Sequence, residues 1–304
     1  MIHGLPMRKI KHQKINYVCP VTIKDIYKKY LAVLNPVYGA GETAAVTNII
    51  FEYYAGLTGA AMVVKGIEPA SKKLSANLDA ALEKLLHHVP VQYITGEAHF
   101  CGLIFKVNAH VLIPRPETEE LVHEVMQFLQ IAGKKTVIDI GTGSGCIPIT
   151  VKKNIPAADL VAVDISPDAL HIARTNAGIH STEIDLRIID FLDDEATGSL
   201  PGFDIIISNP PYIPEREAQL LDKNVTGHEP HLALFVPDNA PLIFYKKIKH
   251  FAVKHLNPRG RIFLEVHENF AGQVAELFEE KDYSVLIKKD ISGKERMIII
   301  DRCP

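Results

Sequence analysis

Val137-Ile138-Asp139-Ile140-Gly141-Thr142-Gly143-Ser144-Gly145 is the stretch that decides the fold. An apolar run broken only by Asp139 suits a strand covered on both faces. It enters three alternating glycines, and glycine lets a backbone turn sharply and pass close beneath a ligand. Pro148 follows, in the first turn of a helix, where no backbone donor is needed. In an open α/β sheet, ligands sit at the carboxyl ends of the strands, and this glycine turn lies at such an end.

Outward from this stretch, strands and helices alternate. Apolar runs predict strands at 136–140, 160–164, 186–190, 204–208 and 261–266. Helical periodicity predicts 119–129, with Leu121, Val122, Val125 and Leu129 on one face. It also predicts a helix between the first two strands and helices at 167–177, 238–256 and 270–280. Strands at 284–289 and 296–301 close the chain. The short connection between them makes them antiparallel, since a parallel pair needs a longer crossover. The pattern is α/β: a Rossmann-like, seven-stranded, mostly parallel sheet over residues 118–304.

Residues 21–88 read as a small helical domain for recognition or support. Thr22 caps a first helix through Ile26, Tyr30 and Leu34, and 41–43 breaks it. A second run follows through Val46, Ile49, Ile50 and Tyr53, and a third at 75–88 through Leu78, Ala81, Leu82 and Leu85. Residues 89–117, rich in aromatic and β-branched residues with glycine and proline punctuation, predict short strands in a linking β-hairpin. Residues 1–20 form a basic tail (Arg8, Lys9, Lys11, Lys14), expected to be disordered.

With 304 residues, 47% hydrophobic and 23% charged, the chain has room for two globular domains. A net charge of −3 lacks the basic excess of a protein that lives on bare nucleic acid. The cysteines (Cys19, Cys101, Cys146, Cys303) form no C-x-x-C pair and read as free thiols of a reducing compartment. No apolar run is long enough to span a bilayer. A soluble, cytoplasmic monomer is expected. His87-His88 and His228 with His231 lack the His-Glu-x-x-His spacing, so no metal is expected.

The loop reads G-x-G-x-G, whereas a dinucleotide fingerprint reads G-x-G-x-x-G, and it lacks the Lys-Ser/Thr ending of a triphosphate loop. That spacing points to S-adenosylmethionine, with Gly141, Thr142, Gly143, Ser144 and Gly145 beneath it. Asp164, ending the next strand, is placed to accept from ribose hydroxyls. Asp190 is placed to accept from an adenine amino group, and Phe191 to flank the ring.

The fourth strand runs into Asn209-Pro210-Pro211-Tyr212. An amide or aromatic amine nitrogen is a poor nucleophile because its lone pair is delocalised. Two acceptors that receive both N–H bonds favour the pyramidal form that develops positive charge. The Asn209 side-chain oxygen and the Pro210 carbonyl are candidates, held by proline-stiffened backbone. Tyr212 offers a flat face to a planar group. Asn209, Pro210 and Tyr212 are therefore the candidate catalytic residues, and Asn209 to Tyr212, with Pro211, the candidate substrate site. Asn209 is also a candidate cofactor contact. The motif alone does not choose between glutamine, adenine and guanine, so an exocyclic amine of a nucleic acid stays open.

Beyond this motif, the chain resembles the peptide chain release factor N5-glutamine methyltransferases. The resemblance rests on the segments 90–96 (PVQYITG) and 111–119 (VLIPRPETE), on 141–145, and on Asp164-Ile165-Ser166 with Asn176-Ala177. It continues at 208–213, at Glu229-Pro230 with 232–234, and at Asp290, Gly293 and Arg296. It implies a class I methyltransferase fold with a helical N-terminal domain. It also implies a substrate glutamine in a Gly-Gly-Gln loop of a release factor. Three places depart from the family pattern: the extra basic tail at 1–20, residues 235–241, and Glu265-Val266-His267, where Glu-x-Gly is usual.

Overall fold

A computed structural model of the protein describes residues 21–132 and 135–303. The tail at 1–20, expected to be disordered, lies outside them. The chain divides into two compact units between Leu86 and His87.

The first unit holds α1 (Ile23–Ala55), α2 (Gly59–Lys65) and α3 (Lys72–Leu86). Thr22 and Asp25 cap α1 reciprocally, each side chain accepting from the other's backbone N–H. The break expected at 41–43 falls earlier, at Gly39, whose φ of 74° and ψ of 167° suit only glycine. That kink resets the helical phase. Val46, Thr47, Ile50 and Phe51 face inward, while Ile49 and Tyr53, expected on the inner face, are exposed. In α3 the expected face, Leu78, Ala81, Leu82 and Leu85, is buried. The seven residues of α2 are too few for periodicity to reveal.

The second unit begins with α4 (Val91–Thr95), where strand content was expected. Pro90 at its N-cap and Gly96 at its C-cap, with φ 70°, make this one helical turn despite the β-branched side chains. Next, β1 (Glu97–Phe100) and β2 (Leu103–Lys106) form the expected hairpin. It turns on Cys101 and Gly102, both with positive φ, as a two-residue turn of matching twist requires. Residues 111–114 form no strand. α5 (Pro116–Ala132) follows, with the expected apolar face buried.

The remainder runs β3 (Thr136–Ile140), α6 (Cys146–Asn154), β4 (Asp159–Asp164), α7 (Pro167–Ile179), β5 (Asp185–Ile188) and α8 (Asp194–Gly198). Then come β6 (Phe203–Ser208), β7 (Ile213–Pro214), α9 (Lys223–Thr226), α10 (His231–Leu234) and β8 (Phe235–Val236). α11 (Ile243–His255), β9 (Leu256–Glu265), α12 (Ala271–Leu277), β10 (Tyr283–Lys289) and β11 (Glu295–Arg302) complete it. α11 starts five residues later than the sequence predicts, after a turn that contains Pro241.

The main sheet has seven strands in the order β10-β11-β9-β6-β3-β4-β5. Only β11 runs against the rest, antiparallel to both β9 and β10. Successive side chains of the central strands alternate between two cores. Ile138, Ile140 and Ile206 pack with Tyr245, Ile248, Phe251 and Val274 from α11 and α12. Val137, Ile205 and Ile207 pack with Leu121, Val122, Val125 and Ile149 from α5 and α6. From β3 the chain winds outward to β4 on one side, and from β6 to β9 on the other. The crevice at the carboxyl ends of β3 and β6 is thus the topological switch point, where such sheets bind ligands. No helix among the described residues is long and apolar enough to cross a membrane.

Candidate active site

The glycine turn after β3 is held from three sides. Val163, in β4, accepts from the N–H groups of Gly141 and Thr142 at 2.9 and 3.0 Å. Asp164 Oδ2 accepts from the Gly143 N–H at 2.8 Å, and its Oδ1 from the Ser166 N–H at 2.9 Å. The fully buried Asn176 donates to the Ser144 carbonyl and the Lys106 carbonyl, and accepts from the Lys106 N–H. Gly141, Gly143 and Gly145 all have positive φ. A side chain on Gly141 or Gly143 would project into open space, whereas one on Gly145 would meet Ala173 and Ile149 within about 3 Å. The first two glycines therefore leave room above the loop, and Gly145 allows α6 and α7 to pack closely.

That room is a cavity of about 470 Å³. Gly141, Gly143, Asp164, Asp190, Phe191, Asn209 and Pro211 line it, with Ile165, Leu192 and Phe244 adding apolar wall. Thr142, Ser144 and Gly145 are off the wall; the side chains of Thr142 and Ser144 are buried behind the loop. Asp190, expected to end a strand, lies two residues past β5 and accepts from the Leu192 N–H with one oxygen. Phe191 both lines the cavity and packs edge-on against Phe251, with ring centroids 5.3 Å apart.

A smaller cavity of about 200 Å³ adjoins, lined by Arg115, Asn209, Pro210, Tyr212, Leu221 and Val225, among others. Asn209 belongs to both walls. Its Nδ2 donates to Thr118 Oγ1 at 3.0 Å, and Thr118 Oγ1 donates to Glu265 Oε2 at 2.6 Å. The Tyr212 hydroxyl donates to the other oxygen of Glu265 at 3.1 Å. Ser208, the last residue of β6, clamps that strand to β3 through the Ile140 carbonyl. Burial pushes the Glu265 carboxyl up, opposed by Thr118, Tyr212 and the charge of Arg296.

Neither Thr118 nor Glu265 was singled out for this site. Both lay within quoted segments, and Glu265 ends the strand beside β6, which was the available signal. Arg115 binds buried Glu229 at 2.6 Å within its own unit. Glu119 accepts from the Cys101 N–H and so ties α5 to the hairpin tip.

Asp139 lies fully buried behind the loop, both oxygens without a hydrogen-bond partner. Burial pushes its pKa up to about 7; the charge of Asp164 adds to this, and the Thr142 hydroxyl beside it works the other way. In the unfolded chain this carboxyl titrates near the ordinary value of 3.8. The fold therefore holds the proton more tightly, and stability falls as pH rises from the unfolded to the folded pKa. In the ligand-free protein, Asp139→Asn removes that slope. Its melting temperature relative to the wild type is expected to rise between about pH 4 and about pH 7. A difference that stays constant across that range would show that Asp139 does not titrate there.

The model of the PrmC N-terminal domain matches residues 34–96, and that of the methyltransferase small domain matches 120–228. A release factor glutamine methyltransferase of Flavobacterium psychrophilum is 37% identical over 92% of this chain and 99% of its own length. The chain belongs to the release factor glutamine methyltransferase family. The enzyme of that name from Bacteroides thetaiotaomicron is 41% identical over 74% of this chain and 80% of its own. That from Lactococcus lactis subsp. lactis is 43% identical over 72% and 80%. The two cavities of this family member meet at the Asn-Pro-Pro-Tyr motif.

Proposed function

We propose that the protein transfers a methyl group from S-adenosylmethionine to the side-chain amide nitrogen of the glutamine in a release factor's Gly-Gly-Gln loop. The observation that carries this reading is the place of Asn209, on the wall common to both cavities, with its amide nitrogen already engaged by Thr118. Its Oδ1 is thereby left to accept from a nitrogen that enters the smaller cavity.

The larger cavity suits S-adenosylmethionine in its chemistry. Open space lies over Gly141 and Gly143, carboxylates stand at Asp164 and Asp190, and apolar walls at Ile165, Phe191 and Phe244 suit an adenine ring. When bound, the sulfonium compound supplies an electrophilic methyl carbon. Asp164 and Asp190 retain lone pairs for ribose and adenine donors. Asn209 Oδ1 and the Pro210 carbonyl accept the two N–H bonds of the substrate amide, which favours its pyramidal form. Pro210 and Pro211 keep those acceptors from reorganising. Tyr212, held by Glu265, presents a flat wall. No strong base is required, because the nitrogen becomes acidic only as it gains the methyl group.

Family membership and the net charge of −3 favour a release factor over a nucleic-acid amine. The reaction takes place in the cytoplasm, and the protein acts as a monomer without a metal. The test supplies methyl-labelled S-adenosylmethionine to purified release factor, to a variant with Gln→Ala in its Gly-Gly-Gln loop, and to total RNA. Label on the unaltered factor alone is expected. Label on RNA instead would replace the reading with nucleic-acid methylation.

A further inference from the structure

We infer that Thr118 and Glu265 are positioning residues, which hold the Asn209 amide with its nitrogen turned away from the reacting centre and its oxygen towards it. The inference rests on the role proposed for Asn209. An asparagine side chain is nearly symmetric in shape, and its two ends differ only in hydrogen bonding. If the amide turned over, an NH₂ would face the substrate NH₂. Two donors would oppose each other where an acceptor is required.

The surroundings fix the choice. The Thr118 hydroxyl has one proton, and that proton is directed at Glu265 Oε2 at 2.6 Å. Towards Asn209, Thr118 Oγ1 is left only as an acceptor, so it takes the Nδ2 end at 3.0 Å. Glu265 can demand that proton because it is an acceptor itself. Burial raises its pKa, but Tyr212 donates to its other oxygen at 3.1 Å, and that donor and the positive charge of Arg296 oppose the rise. Arg296 is in turn placed by Asp290, 3.6 Å away. Three elements supply the arrangement: α5 brings Thr118, the end of β9 brings Glu265, and the turn after β6 brings Asn209 and Tyr212. One buried carboxylate thus orients both the acceptor and the flat wall of the proposed substrate site. It also accounts for a buried acid at the carboxyl end of a strand that contributes nothing to either cavity wall.

The hydroxyl itself is the testable element, because Thr118 is buried and valine has nearly its shape. Thr118→Val is expected to lower kcat for release factor on the order of 10- to 100-fold, as a misaimed reacting group does. KM and the Kd for S-adenosylmethionine should stay within about threefold. Thr118→Ser, which keeps the hydroxyl, should restore kcat to within about threefold of wild type. Thr118→Ala repeats the deletion should valine not fit, and melting curves check folding in each.

A second readout needs no activity. The Asn209 side-chain amide ¹H–¹⁵N signals, assigned by their loss in Asn209→Ala, should shift in Thr118→Val and stay in place in Thr118→Ser. Wild-type kcat in Thr118→Val, equal losses in the Val and Ser variants, or an unmoved Asn209 amide would each overturn the inference. If the wild type methylates no release factor, it is the proposed function that fails, and the amide signals still decide the orientation.

Discussion

Asn209→Ala is expected to lower kcat for release factor by about 10³-fold, the loss that follows removal of one preorganised hydrogen-bonding group from a polar transition state. The Kd for S-adenosylmethionine should change only a few-fold, since the glycine backbone, Asp164 and Asp190 remain on the wall of the larger cavity. The substitution also leaves no buried donor stranded. Thr118 loses a donor but keeps its own proton on Glu265, so the fold should tolerate the change. Stopped-turnover kinetics beside calorimetric cofactor binding separate the two quantities. Parallel losses in both would contradict the division of roles between Asn209 and the glycine loop.

Asp164→Ala acts on the other half of the site. Both carboxylate oxygens are tied to backbone, one to Gly143 in the glycine turn and one to Ser166 at the start of α7. Removing them frees the turn and deletes the proposed ribose acceptor together. At about 1.5–3 kcal/mol for a hydrogen bond to a charged group, the affinity for S-adenosylmethionine should fall roughly 10- to 100-fold. Asp164→Asn, which keeps one acceptor, should lose less. Folding should survive, because burial already raises this carboxyl's pKa, so the anion is costly to hold in the absence of ligand. Calorimetric titration decides it; an unchanged Kd in Asp164→Ala would remove Asp164 from the binding site.

Asp164 also illustrates where the sequence was legible and where it was not. The β–glycine–α corner, the acid ending the next strand and the Asn-Pro-Pro-Tyr turn could all be read because each is local. Strands covered on both faces appear as continuous apolar runs, so β3, β4 and β6 lay within one residue of their predicted limits. That Asp164 braces the glycine turn was not legible, since it depends on how β4 and the loop come together in space. The same holds for Thr118 and Glu265, 147 residues apart, and for Arg115 and Glu229, 114 apart. Short elements failed for another reason. α4 is decided by its caps against its own β-branched composition, and β7 and β8 are two-residue strands with no periodicity to detect. Beyond Gly39 the buried face takes in Thr47 and Phe51, while the apolar Ile49 and Tyr53 lie on the exposed side, so hydrophobicity alone did not mark that face.

The segment 235–241 takes up a defined place. Phe235 and Val236 pair in parallel with Ile213 and Pro214, immediately after the Asn-Pro-Pro-Tyr turn. Asp238 accepts from the Arg216 N–H at 2.9 Å. The segment therefore braces the chain just beyond the proposed substrate site.

The measurement that tests the central claim most directly is the mass of release-factor peptides after incubation with the protein and S-adenosylmethionine, with fragmentation to locate the added methyl. One methyl group on the side-chain nitrogen of the glutamine in the Gly-Gly-Gln peptide, absent when Asn209→Ala replaces the wild type, is the predicted result. A methyl group on another residue, or none on a release factor while the folded protein binds S-adenosylmethionine, would contradict it.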